Sequence, residues 1–140
     1  MKISARNVFS GKVQTVIKGA VNGEIALTLP GGESIVAIIT NASVDALQLS
    51  PGTSAFAIIK ASEVMIGKGL GNSRISARNV LPGKVAKLTD GAVNSEVEVR
   101  LAGGTPIVAS ITRASVHAMD LHEGDAVSAV IKASHVLIGV

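Results

Sequence analysis

Hydrophobic and polar residues alternate along much of the chain in the way that one-sided β-strands require. Ile25, Leu27 and Leu29 alternate with Ala26 and Thr28, so one face of this segment is apolar. Other segments are short, continuously apolar and bounded by turn residues, which suits strands buried on both faces. In the first half of the chain, strands are therefore predicted at residues 13–17, 25–29, 35–39, 55–59 and 64–66.

Turn and helix signals separate these strands. A Pro-Gly-Gly sequence at 30–32 predicts a turn, and Ser-Pro-Gly at 50–52 predicts a stop. Between them, Asn41 is expected to cap a short helix with Val44 and Leu47 on one side. About five strands with one helix after the third is the order of an OB-like barrel.

The second half of the chain repeats the first half at a constant spacing. Ile3-Ser4-Ala5-Arg6-Asn7-Val8 recurs as Ile75-Ser76-Ala77-Arg78-Asn79-Val80. Gly-Ala-Val-Asn at 19–22 recurs at 91–94, and Lys-Ala-Ser at 60–62 recurs at 132–134. Roughly 36 of about 66 overlaid positions are identical, which indicates a duplication. The expected fold is therefore all-β with one short helix per domain: two tandem OB-like five-stranded barrels, with domains at 1–67 and 74–140 and a glycine-rich linker at 68–73.

Polar residues that both copies retain are mostly hydrogen-bond donors. Arg6 matches Arg78, Lys12 matches Lys84, and Lys60 matches Lys132, whereas Glu24 and Glu96 are the only acids at matching positions. The Ser-Ala-Arg-Asn and Lys-Ala-Ser segments offer hydroxyl, amide and cationic donors and contain no carboxylate. A tetrahedral dianion that carries no proton needs donors only, so these segments predict an oxyanion site. In the alternative interpretation, Arg6 and Lys60 merely lie at a solvated edge.

The Gly-Ala-Val-Asn segments admit two interpretations. Gly and Asn tolerate unusual backbone angles, which favours a hairpin turn. The flanking residues differ between copies, with Lys18 against Asp90 and Gly23 against Ser95, while the four residues are the same. A turn alone seldom needs Ala-Val inside it, so a functional role is a second hypothesis.

Composition excludes several function classes and disfavours others. The chain has no cysteine, so disulfides and thiolate metal sites are excluded. His117, His122 and His135 all lie in the second copy and match no metal-ligand spacing, so no protein-bound metal cation is expected. The charge excess is small, with 13 Lys+Arg against 10 Asp+Glu, and aromatic side chains are nearly absent, so neither a nucleic-acid partner nor base stacking is expected.

The chain lacks the sequence motifs that mark secretion, membrane insertion or catalysis. No apolar run resembles a signal peptide or is long enough to cross a bilayer, so a cytoplasmic protein with no membrane partner is expected. No nucleophile elbow, paired general acid and base, or phosphate-binding loop is recognisable, so the protein is not expected to be an enzyme. Small domains that lack large aromatic side chains are expected to oligomerise for stability.

The three repeated motifs resemble the signature of the molbindin family, whose unit is the molybdate-binding Mop domain. The resemblance covers essentially the whole chain, and it is to the two-domain members in particular. It implies OB-like barrels, a homotrimer of the tandem chain, and molybdate or tungstate as the bound ligand with no organic cofactor. It also implies a role in intracellular molybdenum storage or homeostasis. The oxyanion would bind at sites between domains and between subunits.

Carried over by motif, the resemblance implies two classes of oxyanion site. The first class would use Ser4, Arg6, Asn7, Lys60, Ala61 and Ser62, and their counterparts Ser76, Arg78, Asn79, Lys132, Ala133 and Ser134. The second class would use the turns around a symmetry axis, with Gly19, Ala20, Val21, Asn22, Gly91, Ala92, Val93 and Asn94. The alternative functions are an oxyanion-sensing module that acts with a regulator or transporter, an OB-type nucleic-acid binder, and an enzyme acting on an oxyanion ester. A regulator would need a helix-turn-helix segment, for which this chain is expected to have no room.

Overall fold

The computed structural model describes all 140 residues, and each repeat folds into five strands and one short helix. The first repeat contains β1 (Asn7–Lys18), β2 (Asn22–Thr28), β3 (Ser34–Thr40), α1 (Asn41–Ala46), β4 (Ser54–Ile59), a 3₁₀ turn (Ala61–Glu63) and β5 (Met65–Gly67). The second contains β6 (Asn79–Asp90), β7 (Asn94–Leu101), β8 (Pro106–Thr112), α2 (Arg113–Ala118), β9 (Ala126–Ile131), a 3₁₀ turn (Ala133–His135) and β10 (Leu137–Gly139). The predicted class is confirmed: the chain is mainly β, with the helix after the third strand of each repeat.

The strands form two five-stranded antiparallel sheets that exchange their last strands. The strand orders are β10-β4-β1-β2-β3 and β5-β9-β6-β7-β8. Leu137 of the second repeat pairs with Ile58 of the first, and Met65 of the first pairs with Val130 of the second. Each sheet therefore contains four strands of one repeat and the fifth strand of the other.

The alternating segment of the first repeat faces inward as predicted. Ile25 and Leu27 are fully buried and Leu29 is 3% exposed, whereas Ala26 and Thr28 are only partly buried. These side chains belong to one continuous hydrophobic cluster to which both repeats contribute. Its largest fully buried members are Ile, Leu and Val, which confirms that aliphatic side chains fill a core that lacks aromatic residues.

The start of α1 differs from the sequence prediction. Thr40, rather than Asn41, is the N-cap residue, because its extended backbone lets its hydroxyl accept a hydrogen bond from Ser43 N at 3.1 Å. Asn41 instead donates from Nδ2 to the carbonyl oxygen of Gly19 at 2.8 Å. This bond anchors the Gly-Ala-Val-Asn segment to the helix, and the prediction of an Asn41 cap was wrong.

The segment between the repeats contains no strand or helix, and a lysine holds it against the second repeat. Gly69 and Gly71 adopt positive φ angles of 68° and 52°, which a side chain would disfavour. Lys68 Nζ donates to the carbonyl oxygen of Asp120 at 2.6 Å and to Asp125 Oδ2 at 2.9 Å. The helices α1 and α2 have six residues each, and neither has the length and apolar character that a membrane span requires.

Candidate oxyanion-binding sites

The two donor-rich motifs of each repeat lie side by side at one end of their sheet. Asn7 at the start of β1 pairs with Ile59 at the end of β4, so the segment around Arg6 lies beside Lys60. In the second repeat, Asn79 pairs with Ile131, beside Lys132. The structure thus brings together two motifs that are about fifty residues apart in sequence, as the first site class requires.

Most of the polar side chains in these motifs are open to solvent. The exposed ones are Ser4, Arg6, Lys60 and Ser62, with Ser76, Arg78, Lys132 and Ser134 in the second repeat, whereas Ala61 and Ala133 are buried. Ala61 begins a 3₁₀ turn that Lys60 precedes, so burial of the alanine fixes the turn while its neighbours face outward. Hydroxyl and ammonium donors at these positions are accessible to an anion or to another copy of the chain.

A groove of about 410 Å3 adjoins Ser62 on the side of the second repeat. Its walls come from the 3₁₀ turn and β5 of the first repeat and from β8 and α2 of the second. Ser62, Ser110 and Ser115 contribute hydroxyl groups, and Met65 and Met119 contribute apolar surface. The first motif therefore faces a space between repeats.

Asn7 and Asn79 have a different environment, because both are 2% exposed and bond to the other repeat. Asn7 Nδ2 donates to the carbonyl oxygen of Val108, and Val108 N donates to Asn7 Oδ1, both at 2.8 Å. Asn79 makes the same pair of 2.8 Å bonds to Val36, and its Nδ2 also donates to the carbonyl oxygen of Ile131 at 3.2 Å. These amides join the repeats, and their assignment to an oxyanion stays a prediction.

The arginines of the motifs also reach across to the other repeat. Arg78 Nη1 and Nη2 donate to Glu24 Oε2 and Oε1, both at 2.8 Å, in a two-pronged ion pair. Arg6 Nη1 donates to Glu96 Oε1. The hydrogen bond from Arg78 lowers the pKa of the Glu24 carboxyl, and the same bond raises the pKa of Arg78.

Each Gly-Ala-Val-Asn segment forms the hairpin connection between the first two strands of its repeat. Gly19 N donates to the carbonyl oxygen of Asn22 at 2.7 Å, and Asn41 N donates to that of Val21 at 2.8 Å. Val21 is nevertheless 70% exposed and Val93 is 74% exposed, which is unusual for large apolar side chains. The hairpin interpretation is confirmed, and the exposed valines leave the second hypothesis open.

A comparison with protein-family models matches both repeats to the TOBE domain, at residues 3–66 and 75–138. The chain belongs to the TOBE domain family. Its relatives include Mop proteins, which confirms the resemblance to tandem molbindins.

Several similar proteins are about twice as long as this pair of TOBE domains. The chain is 44% identical over 140 residues to the molybdenum-pterin-binding protein MopA of Rhodobacter capsulatus, covering 100% of this chain and 53% of MopA. It is 35% identical over 139 residues to the transcriptional regulator ModE of Yersinia pestis, covering 99% of this chain and 52% of ModE. The chain thus spans about half the length of these relatives.

Among solved structures, the tandem TOBE chain is similar to the cytoplasmic molybdate-binding protein ModG in a crystal form with molybdate bound. The TM-score is 0.96 and the identity is 45%, with 100% of this chain and 99% of that chain covered. A likeness of this degree over both chains establishes the tandem OB-like architecture.

Within one TOBE repeat, the two predicted site classes lie far apart. The first class lies at the start of β1 and the hairpin follows its end, and β1 has 12 residues. At about 3.3 Å per residue this separation is at most roughly 36 Å, because the register of the strand shifts between Val13 and Thr15. Across repeats, however, Arg78 of a first-class motif reaches Glu24, which lies two residues beyond Asn22 of a hairpin.

Glu24 and Glu96 are absent from the predicted site residues, yet each one bonds to a motif arginine. The sequence signal that marks them is their status as the only acids at matching positions of both TOBE repeats. The histidines lie in separate surroundings, with His135 Nδ1 at 2.9 Å from Glu63 Oε2 and His122 near Asp120. No group of three or more His, Cys, Asp or Glu side chains is arranged to hold a metal ion.

Proposed function

We propose that this tandem TOBE protein binds molybdate or tungstate and serves in cytoplasmic molybdenum storage or homeostasis, as a binding protein rather than an enzyme. The observation that carries the proposal is the pairing of two carboxylate-free donor motifs at one end of each sheet. The likeness to ModG with molybdate bound, over the whole chain, supports it.

The first site class rests on Lys60, Ser62, Ser4 and their counterparts in the second repeat. The ammonium groups of Lys60 and Lys132 form no ion pair within the chain and are exposed, so both can face an anion. A charge-assisted hydrogen bond contributes roughly 1.5–3 kcal/mol, and micromolar affinity needs about 8 kcal/mol. One cation with several neutral donors in a partly closed space reaches that range after ordering costs.

Assembly into a homotrimer completes the proposal. Large apolar side chains are exposed beside the first-class motifs, including Ile3, Val8 and Met65, which are 48%, 37% and 47% exposed. Burying this surface against copies of the chain would enclose the donors. By threefold symmetry the trimer has about six interface sites, one for each repeat of each chain.

The exposed hairpin tips support a second, axial class of site. Three copies of Val21 meeting on a threefold axis would bury its side chain and bring three Asn22 amides together. The tips of the second repeats, with Val93 and Asn94, would do the same at the other end. Backbone N–H groups and amides around one point form a neutral donor cage suited to an anion, which adds about two sites per trimer.

The ligand we propose is the free oxyanion, with no organic cofactor, whereas MopA is named for binding a molybdenum pterin. Protein purified without added oxyanion decides between these forms by elemental analysis together with pterin fluorescence. Molybdenum or tungsten without pterin fluorescence is expected. Stoichiometric pterin would contradict the free-oxyanion proposal.

The basic residues provide the direct test of the first site class. Lys60→Ala with Lys132→Ala, and separately Arg6→Ala with Arg78→Ala, should reduce molybdate capacity in calorimetry while the circular dichroism spectrum stays native. Lys12→Ala with Lys84→Ala is the matched control, because it removes two repeated lysines outside the motifs. Wild-type binding by both motif variants would refute this class.

A sensing module that acts with a regulator or transporter is the second candidate. The similarity to the regulator ModE of Yersinia pestis favours it, because the chain matches only about half of that protein. We propose that the chain itself contacts neither nucleic acid nor a membrane. A salt-dependent gel shift with duplex DNA would contradict this and favour the regulatory role.

A further inference from the structure

The two Arg–Glu pairs that cross between repeats place a carboxylate against each motif arginine. Glu24 holds Arg78 and Glu96 holds Arg6, so the arrangement occurs twice in the chain. Glu24 and Glu96 are also the only acids that both repeats retain at matching positions. An isolated surface ion pair contributes little to stability. A pair that occurs in both repeats, between matching residues, points instead to a role of its own.

We propose that Glu24 and Glu96 are specificity-determining residues: each carboxylate is an internal counter-anion with which an incoming oxyanion competes for an arginine. This inference rests on the proposed function. The guanidinium has five N–H donors, and Glu24 takes two of them from Arg78. The remaining three make no hydrogen bond within the chain, so a second anion can take them while the carboxylate repels its charge.

Exposure allows the competition to take place in water. The side chains of Arg78 and Glu24 are 49% and 29% exposed, and those of Arg6 and Glu96 are 53% and 49% exposed. An anion can therefore reach each guanidinium without unfolding the repeat interface. The hydrogen bond from Arg78 lowers the pKa of Glu24, so this carboxylate stays charged through the neutral range.

The charge of the ligand determines how strongly it is repelled. Molybdate and sulfate are dianions, whereas perrhenate is a tetrahedral monoanion of similar shape, so the carboxylate repels molybdate about twice as strongly. Removing the negative charge should therefore raise the affinity for molybdate more than the affinity for perrhenate. If Glu24 and Glu96 merely positioned the arginines, their substitution would weaken molybdate binding instead, because a misplaced guanidinium binds an anion less well.

The test is calorimetric titration of Glu24→Gln, Glu96→Gln and the double variant with molybdate and with perrhenate at fixed ionic strength. The double variant should bind molybdate about three- to tenfold more tightly than wild type, with a smaller gain for perrhenate. Both single variants should shift the affinity in the same direction, because each removes one carboxylate charge beside a motif arginine. Asp120→Asn is the control, since it removes one carboxylate charge at an exposed residue that contacts neither arginine.

Each outcome decides the proposal. Unchanged or weaker molybdate binding by the variants, or equal gains for both anions, overturns it while the proposed function stands. A wild type that binds no molybdate overturns both. If Glu24→Gln does not fold, Glu96→Gln carries the same prediction, and Glu24→Asp, which keeps the charge, should keep the wild-type ratio of molybdate to perrhenate affinity.

Discussion

The side-chain amide of Asn7 bonds to both backbone polar groups of Val108, and these two residues belong to different repeats. The amide thus occupies the position that a neighbouring strand would take beside β8. Asn79 makes the same contact with Val36, so the duplication has produced two reciprocal links. Because the asparagine amides are buried and the valine backbone groups that they bond to are partly buried, leaving either side without a partner is costly.

Asn7→Ala should therefore destabilise the whole chain. The change leaves the partly buried N–H and C=O of Val108 without partners, and the expected loss is about 1–3 kcal/mol of unfolding free energy. Urea denaturation followed by circular dichroism measures it. Asn72→Ala, at an exposed position between the repeats, is the control and should be near neutral. Equal midpoints for the two variants would show that the amide does not support the fold.

The exchange of β5 and β10 can be tested with disulfides, because the chain contains no cysteine. Leu137 pairs with Ile58 of the first repeat, whereas without exchange it would pair with Val130. The double variant Ile58→Cys with Leu137→Cys should form a disulfide within one chain, since paired Cα atoms lie within bridging range. Val130→Cys with Leu137→Cys should not. Non-reducing electrophoresis and mass analysis distinguish them, and the reverse result would exclude the exchange.

The acid dependence of stability should report on the contact between the linker and the second repeat. Hydrogen bonds from Lys68 and from the backbone of His122 lower the pKa of Asp125. A lowered pKa contributes stability above the unfolded value, and that contribution is lost as pH falls through the folded value. The stability difference between wild type and Asp125→Asn should be greatest near neutral pH and shrink below about pH 4. A difference that grows on acidification would contradict the assignment.

The axial sites are tested by Asn22→Asp together with Asn94→Asp. In the proposed trimer this change brings three carboxylates together on each axis, where like charges repel one another and an anion. We expect loss of about two of roughly eight molybdate sites, with some weakening of the trimer. Titration and light scattering measure both effects, with Asn72→Asp as the control. Unchanged stoichiometry would refute the axial class.

The sequence was informative where side-chain pattern alone determines structure. The alternation of Ile25, Leu27 and Leu29 predicted a buried strand face, and all three residues are buried. Strand exchange was not predictable, because Met65-Ile66-Gly67 and Leu137-Ile138-Gly139 are so alike that either could complete either sheet. The α1 cap was assigned one residue late, because a Thr and an Asn stand side by side and both residue types cap helices.

Part of the candidate site was also predictable, because the sequence pattern shows which polar residues both repeats retain. Repetition identified the donor motifs, and the β1–β4 pairing brings them together. Donor chemistry alone could not show where each donor points: an Asn amide suits a strand backbone as well as an anion, and Asn7 bonds to a backbone. The arginine partners depend on contacts between repeats, which no periodicity within one repeat encodes.

Calorimetric titration of the wild-type protein with molybdate, with its assembly measured by light scattering, is the most direct test of oxyanion binding. A trimer that binds about eight molybdate ions, at least tenfold more tightly than phosphate, is the predicted result. The ratio follows because the motif arginines already occupy the nearby carboxylates of Glu24 and Glu96, so the proton of hydrogen phosphate finds no free acceptor, at a cost of about 1–3 kcal/mol. No saturable binding of molybdate, or equal affinity for phosphate, would contradict the account.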